Sequence, residues 1–99
     1  MDTDILFHQL ENLAEMLGIE IRYETIENEM PFSQGGLCRL GDRYVLIVNK
    51  TIRKQDKIQT LGRAVARFDL SSVYLLPGLR AFLSELQDKI RDTEKKTSR

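Results

Sequence analysis

Apolar residues recur at helical spacing in three stretches of the chain. The first stretch begins near Asp4, where Thr3 or Asp2 can act as the N-cap, and it stops at Gly18. Its apolar positions fall on one face of a helix, as expected for an amphipathic helix packed on a core. They are Leu6, Leu10, Leu13, Ala14 and Leu17.

The second and third helical stretches lie in the C-terminal half. One covers residues 54–68, with its apolar stripe at Ile58, Leu61, Gly62, Val65 and Phe68. The other begins at Pro77, a residue that is favourable in the first position of a helix because it has no N–H to leave unpaired. Its stripe consists of Leu79, Phe82, Leu83, Leu86 and Ile90.

Three short segments have the pattern of strands. Residues 19–23 alternate apolar and polar, which predicts a half-buried strand with Ile19, Ile21 and Tyr23 directed inward. Residues 37–40 and 43–48 flank Gly41-Asp42, a pair that suits a type II′ hairpin turn. Residues 44–48 are apolar at every position, which favours the centre of a sheet.

The predicted order is therefore helix, strand, two-stranded hairpin, helix, helix. This order indicates an α+β fold in which a three-stranded, at least partly antiparallel sheet packs against three helices. Residues 24–34, an acidic segment, form the predicted loop. We expect a single domain over residues 1–92 and a flexible polar tail over residues 93–99.

The composition narrows the classes of function. The chain of 99 residues has 15 basic and 15 acidic residues, and a net charge of zero argues against non-specific nucleic-acid binding. No apolar run reaches the roughly 20 residues that cross a bilayer, so no membrane partner is expected. A single cysteine and an acidic N-terminus indicate a cytoplasmic protein.

Few residues offer catalytic or metal-binding chemistry. His8 is the only histidine, and no His or Cys cluster has the spacing of a metal site, so no metal or cofactor is predicted. Cys38 is either a small hydrophobic residue of the sheet or a thiol activated by Arg39 and Arg43. The acidic residues Glu24, Glu27 and Glu29 form either a solvated loop or an acid–base or cation site.

A basic face on the second helix is the remaining candidate site. Arg63 and Arg67 are four residues apart and follow Arg53 and Lys57 on one side of that helix. The face is either a solvated helix surface or a site for an anion or an acidic partner. In the second case Arg39 or Cys38 of the hairpin completes the site.

Leu46-Ile47-Val48-Asn49 ends a predicted strand, and the apolar Ile52 follows in the turn before the second helix. In this strand, turn and helix, the segment from Leu10 to Phe68 resembles the minimal zinc-peptidase (ImmA/IrrE-like) family, whose strand end and turn have similar residues. Leu61-Gly62 occupies the place of the Leu-Ala before the His-Glu-x-x-His motif. The motif itself falls on residues 63–67, so the two histidine positions hold Arg63 and Arg67 and the general-base position holds Ala64.

This resemblance implies a zincin-like scaffold that has lost its metal site. Two permanently charged guanidinium groups repel Zn²⁺, and an alanine side chain accepts no proton. The expected function is therefore non-catalytic: an interaction module for a protein or peptide partner, or for a second copy of the chain, at an edge strand such as residues 37–40. The alternative is a small anionic-ligand binding protein or enzyme that uses the face of Arg63 and Arg67.

Overall fold

The computed structural model of the protein describes residues 2–27 and 35–97. Its elements follow the predicted order: α1 (Thr3–Met16), β1 (Ile19–Glu24), β2 (Gly35–Leu40), β3 (Arg43–Asn49), α2 (Lys54–Val65) and α3 (Pro77–Thr97). The α+β fold with three helices and a three-stranded sheet is thus confirmed. The predicted loop lies largely outside the described residues, and so does Glu29.

The three strands form a mixed sheet in the order β1-β3-β2. β3 is central, as its uninterrupted apolar sequence predicted. It pairs with β1 in parallel, with Ile21 opposite Leu46, and with β2 in antiparallel, with Leu37 opposite the same Leu46. β2 therefore forms one edge of the sheet.

Both ends of the first helix are capped as the sequence predicted. Asp2 is the N-cap, and its carboxylate accepts a hydrogen bond of 2.7 Å from the backbone N–H of Asp4. Gly18 follows the C-cap with a φ of 81°, a conformation that glycine adopts without steric cost. The chain then turns directly into β1.

The β2–β3 hairpin also has the predicted turn. Gly41 has a φ of 67°, and Asp42 is not among the residues with positive φ, so a type I′ turn is ruled out and type II′ fits. β2 begins at Gly35, two residues earlier than predicted, because Gly35 and Gly36 pair with Val48 and Ile47 instead of forming a bend before the strand.

The helices cover one face of the sheet. Side chains alternate between the two faces of a strand, and the strand residues of the main hydrophobic cluster, including Ile19, Leu46 and Val48, come from one set of alternating positions. α1 and α2 pack on this face, and α3 packs on α2 and α1. Tyr23 belongs to the same face but lies at its margin, 37% exposed instead of fully inward. Val45, on the other face of β3, is also buried.

Two helix ends differ from the sequence-based expectation. α2 stops at Val65, and residues up to Phe68 continue as a turn in which the N–H of Arg67 bonds the carbonyl of Ala64 at 3.3 Å. α3 continues to Thr97, so helical backbone extends into the segment that was expected to be a tail. Its polar sequence is rich in Lys and Glu, which have high intrinsic helix propensity.

Among the described residues, no helix combines the length and the hydropathy needed to cross a membrane.

Candidate functional site

The edge strand β2 and the helix α2 enclose a cleft with a volume of about 200 Å³. β2 contributes Gly35, Gly36 and Leu37, and β3 contributes Leu46 behind them. The helix side consists of Thr60, Arg63, Ala64 and Arg67. Arg63, Ala64 and Arg67 therefore lie together in one cleft.

The two arginines stand at the opening of this cleft. Both side chains are exposed, whereas Ala64 between them is buried. Within residues 2–27 and 35–92, neither guanidinium group has a hydrogen bond or a carboxylate partner. In this part of the chain, the cleft therefore presents two positive charges without a counter-charge beside a small apolar floor.

The helix holds these side chains through its packing on the core. Ile58, Leu61 and Val65 are buried on the opposite side of α2. Gly62 lets α3 approach closely, since a Cβ at this position would lie 2.6 Å from Cδ1 of Leu86. This packing fixes the rotation of α2 about its axis, and the rotation directs Arg63 and Arg67 away from the core.

Arg39 lies on the same face of the sheet, next to the cleft. Its guanidinium carbon is 5.8 Å from the ring centroid of Tyr44, within the range of a cation–π contact. Tyr44 in turn packs edge-on against Phe68, at a centroid distance of 5.1 Å. Arg39 therefore packs on this aromatic pair and does not line the cleft.

Cys38 is not brought together with the arginines. It is exposed, and strand alternation places it on the opposite face of β2, across from Val45. The interpretation of Cys38 as an inward hydrophobic residue is wrong, because the inward positions of β2 are taken by its neighbours. His8 is far along the chain on α1, where its Nδ1 lies 3.2 Å from Oε1 of Glu11.

A second depression adjoins Arg67 on its other side, between the end of α2 and α3. It has a volume of about 350 Å³ and is lined by Ala66, Arg67, Gln87, Ile90 and Arg91. Gln87 donates a hydrogen bond of 3.2 Å to the carbonyl of Ala66, and Arg91 pairs with Asp88 at 3.7 Å. Apart from Arg67, which lines both depressions, the polar side chains of this second depression bond within the protein.

The acidic loop offers little chemistry in its described part. No group of three or more His, Cys, Asp and Glu side chains in residues 2–27 and 35–92 is arranged to hold a metal ion. Glu24 ends β1 and Glu27 is exposed.

Sequence reasoning found the two arginines but missed the other wall of the cleft. Gly35 and Gly36 could have indicated this wall, because glycines in a strand often mark a site where another backbone or a ligand approaches closely. Comparisons of the chain with protein-family models, with curated protein sequences and with solved structures gave no significant match.

Proposed function

We propose that this protein is a non-catalytic, zincin-like interaction module that binds an extended peptide segment of a partner protein along β2. The observation that carries this proposal is the cleft itself. It combines the edge strand β2 with Arg63, Ala64 and Arg67 at the three positions that correspond to a peptidase motif.

The edge strand supplies the main-chain part of such a site. β2 is paired only with β3 in the described sheet, so alternate residues of β2 direct backbone N–H and C=O groups away from the sheet. An extended peptide can pair with these groups and add a fourth strand. Gly35 and Gly36 have no side chains to obstruct this approach.

The side chains of the cleft favour binding over hydrolysis. Peptide hydrolysis of the zincin type needs two neutral metal ligands and a general base on the helix. Here the corresponding groups are two guanidiniums and a methyl group. None of the three activates a water molecule, whereas both arginines can bind an anionic group.

A first experiment selects binders from a random octapeptide library displayed on phage, and maps a synthetic selected peptide onto the protein by NMR. We expect amide shifts concentrated at β2 and at residues 63–67. Two versions of the peptide, N-methylated at odd or at even positions, test main-chain pairing, because only alternate N–H groups of an added strand bond the edge.

We expect one N-methylated version to lose binding and the other to retain it. Equal binding of both versions, shifts confined to the surface around Tyr74 and Arg80, or failure to recover any binder would contradict the proposal. Light scattering of the protein without peptide tests self-association. A concentration-dependent dimer whose NMR amide shifts fall on β2 would show that a second copy of the chain is the partner.

The small-anion alternative uses the same two arginines without the edge strand. It lacks the contributions of Cys38, which faces the other way, and of Arg39, which packs on Tyr44. Recovery of inorganic phosphate or citrate as a ligand at Arg63 and Arg67, with no peptide binding, would favour it over the peptide proposal.

A further inference from the structure

Arg63 and Arg67 are the two positively charged groups that line the cleft, and the described residues leave their charge uncompensated. Among the same residues, four other arginines have a carboxylate neighbour, and the closest pairs are Arg22 at 2.9 Å from Glu20 and Arg53 at 3.5 Å from Asp56. The protein as a whole is neutral, so this local excess is a property of the cleft and not of the composition. Charge complementarity therefore favours an acidic occupant.

The direction of the helix relative to the edge strand follows from the topology. Residues 50–53 are the whole connection between β3 and α2, so the helix returns along the sheet antiparallel to β3. The contact between Tyr44 near the start of β3 and Phe68 just after α2 agrees with this return. β2 is also antiparallel to β3, so β2 and α2 run in the same direction.

The spacing of the two arginines matches the repeat of an extended peptide. Arg63 lies in the last turn of α2, and Arg67 lies in the tighter turn that follows. Four residues rise about 6 Å along an α-helix and about 8 Å in a 3₁₀ turn, so the two arginines are separated by about 6–8 Å. Alternate residues of a strand are separated by about 6.6–6.8 Å and point to the same side. A peptide added to β2 therefore directs every second side chain toward α2 at nearly the interval between Arg63 and Arg67.

From these observations we infer that the partner segment carries two acidic residues separated by one residue, each bound by one of the two arginines. This inference rests on the proposed peptide-binding function and specifies its ligand. A carboxylate accepts two parallel hydrogen bonds from a guanidinium group, which sets both affinity and the register of the added strand. A basic segment would be repelled.

The test uses three fluorescein-labelled nonapeptides in an otherwise identical Thr/Val sequence. The first has two glutamates separated by one residue, the second has two adjacent glutamates, and the third has two glutamines at the positions of the first. Fluorescence anisotropy at physiological salt measures their dissociation constants. We expect the first peptide to bind about tenfold more tightly than either of the others, the effect of one well-formed charged hydrogen-bond pair.

Protein variants assign the effect to the two side chains. Arg63→Gln and Arg67→Gln should each remove most of the preference for the first peptide, whereas Arg63→Lys should retain part of it because charge is kept and bidentate geometry is lost. Arg80→Gln is the matched control: Arg80 is exposed on α3, has no carboxylate partner among the described residues, and lies outside the cleft. It should leave all three dissociation constants unchanged.

The outcomes separate this inference from the function on which it rests. Equal affinity for the three peptides, or a preference that survives Arg63→Gln and Arg67→Gln, would overturn the acidic ligand while main-chain pairing could still be observed with the N-methylated peptides. Equal binding of the adjacent and alternating glutamates would overturn the spacing. Loss of discrimination between N-methylated versions would overturn the peptide-pairing function itself.

Discussion

Asn49 is the polar side chain that ends β3, and it is only 1% exposed. Its Nδ2 donates to the carbonyl of Ile26 at 3.3 Å, and its Oδ1 accepts from the N–H and the hydroxyl of Thr51 at 3.0 and 2.7 Å. One side chain therefore holds both the segment that leaves β1 and the turn that leads into α2.

We expect Asn49→Ala to destabilise the protein by about 2 kcal/mol, since it leaves the partly buried carbonyl of Ile26 and N–H of Thr51 without this partner. Thr51→Val is the control, because it removes one of these hydrogen bonds at an exposed residue and should cost less than about 1 kcal/mol. Urea unfolding followed by circular dichroism measures both. Similar losses for the two variants would contradict the joining role of the Asn49 side chain.

Gly35 and Gly36 are adjacent but differ in what a side chain would meet. A Cβ at Gly35, whose φ is 123°, would lie 2.0 Å from the carbonyl oxygen of Ile47, which is backbone and cannot rotate away. A Cβ at Gly36 would have no atom within 4 Å. Gly35 is therefore required by the pairing of β2 with β3, and Gly36 is not.

Gly35→Ala should destabilise the protein by at least about 2 kcal/mol through this clash and the strained φ. Gly36→Ala should change the stability by less than about 1 kcal/mol in either direction, because it mainly restricts the unfolded chain. Thermal unfolding of the two variants gives a direct comparison. Equal melting temperatures would show that β2 does not hold the described register.

At the scale of elements, Tyr23 connects β1 to α1. Its hydroxyl donates to the carboxylate of Glu11, and its ring lies 6.3 Å from that of Phe7. The pKa of Tyr23 is raised well above its ordinary value of 10.0. The largest cause is partial burial, and the hydrogen bond to Glu11 and the negative charge of Glu11 add to it. Tyr23, which the alternating pattern predicted to point inward, therefore links β1 to α1 at the margin of the core.

This shift predicts a loss of stability in alkaline solution. The unfolded chain ionises Tyr23 near pH 10.0 while the folded chain keeps its proton, so the stabilisation is fully present below pH 10 and is lost as the pH rises further. Between pH 8 and 11.5, the free energy of unfolding should therefore fall more steeply for the wild type than for Tyr23→Phe. The difference in slope should stay well below the ceiling of about 1.4 kcal/mol per pH unit, because Tyr23 is 37% exposed.

Glu11→Gln provides the control for this pH dependence. It removes the negative charge but keeps a hydrogen-bond acceptor, so the part of the shift that is due to burial should remain. Its slope should lie between those of the wild type and Tyr23→Phe. Parallel curves for the wild type and Tyr23→Phe would show that the tyrosine is not coupled to folding.

At the scale of the whole molecule, the segment from β3 to α2 organises the domain. β3 pairs with both other strands, and α2 contacts the other two helices and both strands of the hairpin. The buried core draws residues from α1, β1, β3, α2 and α3, including Leu10, Ile19, Leu46, Leu61 and Leu83. The cleft lies on this segment and is bounded on its other side by the edge strand β2.

The order and type of the elements could be predicted from the sequence, because the signals involved are local. The apolar stripe of α2, the continuous apolar run of β3, Pro77 at the start of α3 and Gly41 in the hairpin each reflect a preference of a few neighbouring residues. The end of α2 was less predictable. The apolar period continues to Phe68, but from Val65 onward the backbone tightens into a turn that brings Phe68 onto Tyr44.

By itself, the sequence determined the fold class and the chemistry of the candidate site: two guanidiniums and a methyl group on one helix face. Only the tertiary structure decided what these groups face. Pairing of β2 with β3 follows from the local hairpin, and strand alternation then turns Cys38 to the face opposite Leu37. Packing of α2 across the sheet is the non-local part, and it places Gly35 and Leu37 in one cleft with Arg63. This packing depends on contacts between distant segments, so no short sequence pattern encodes it.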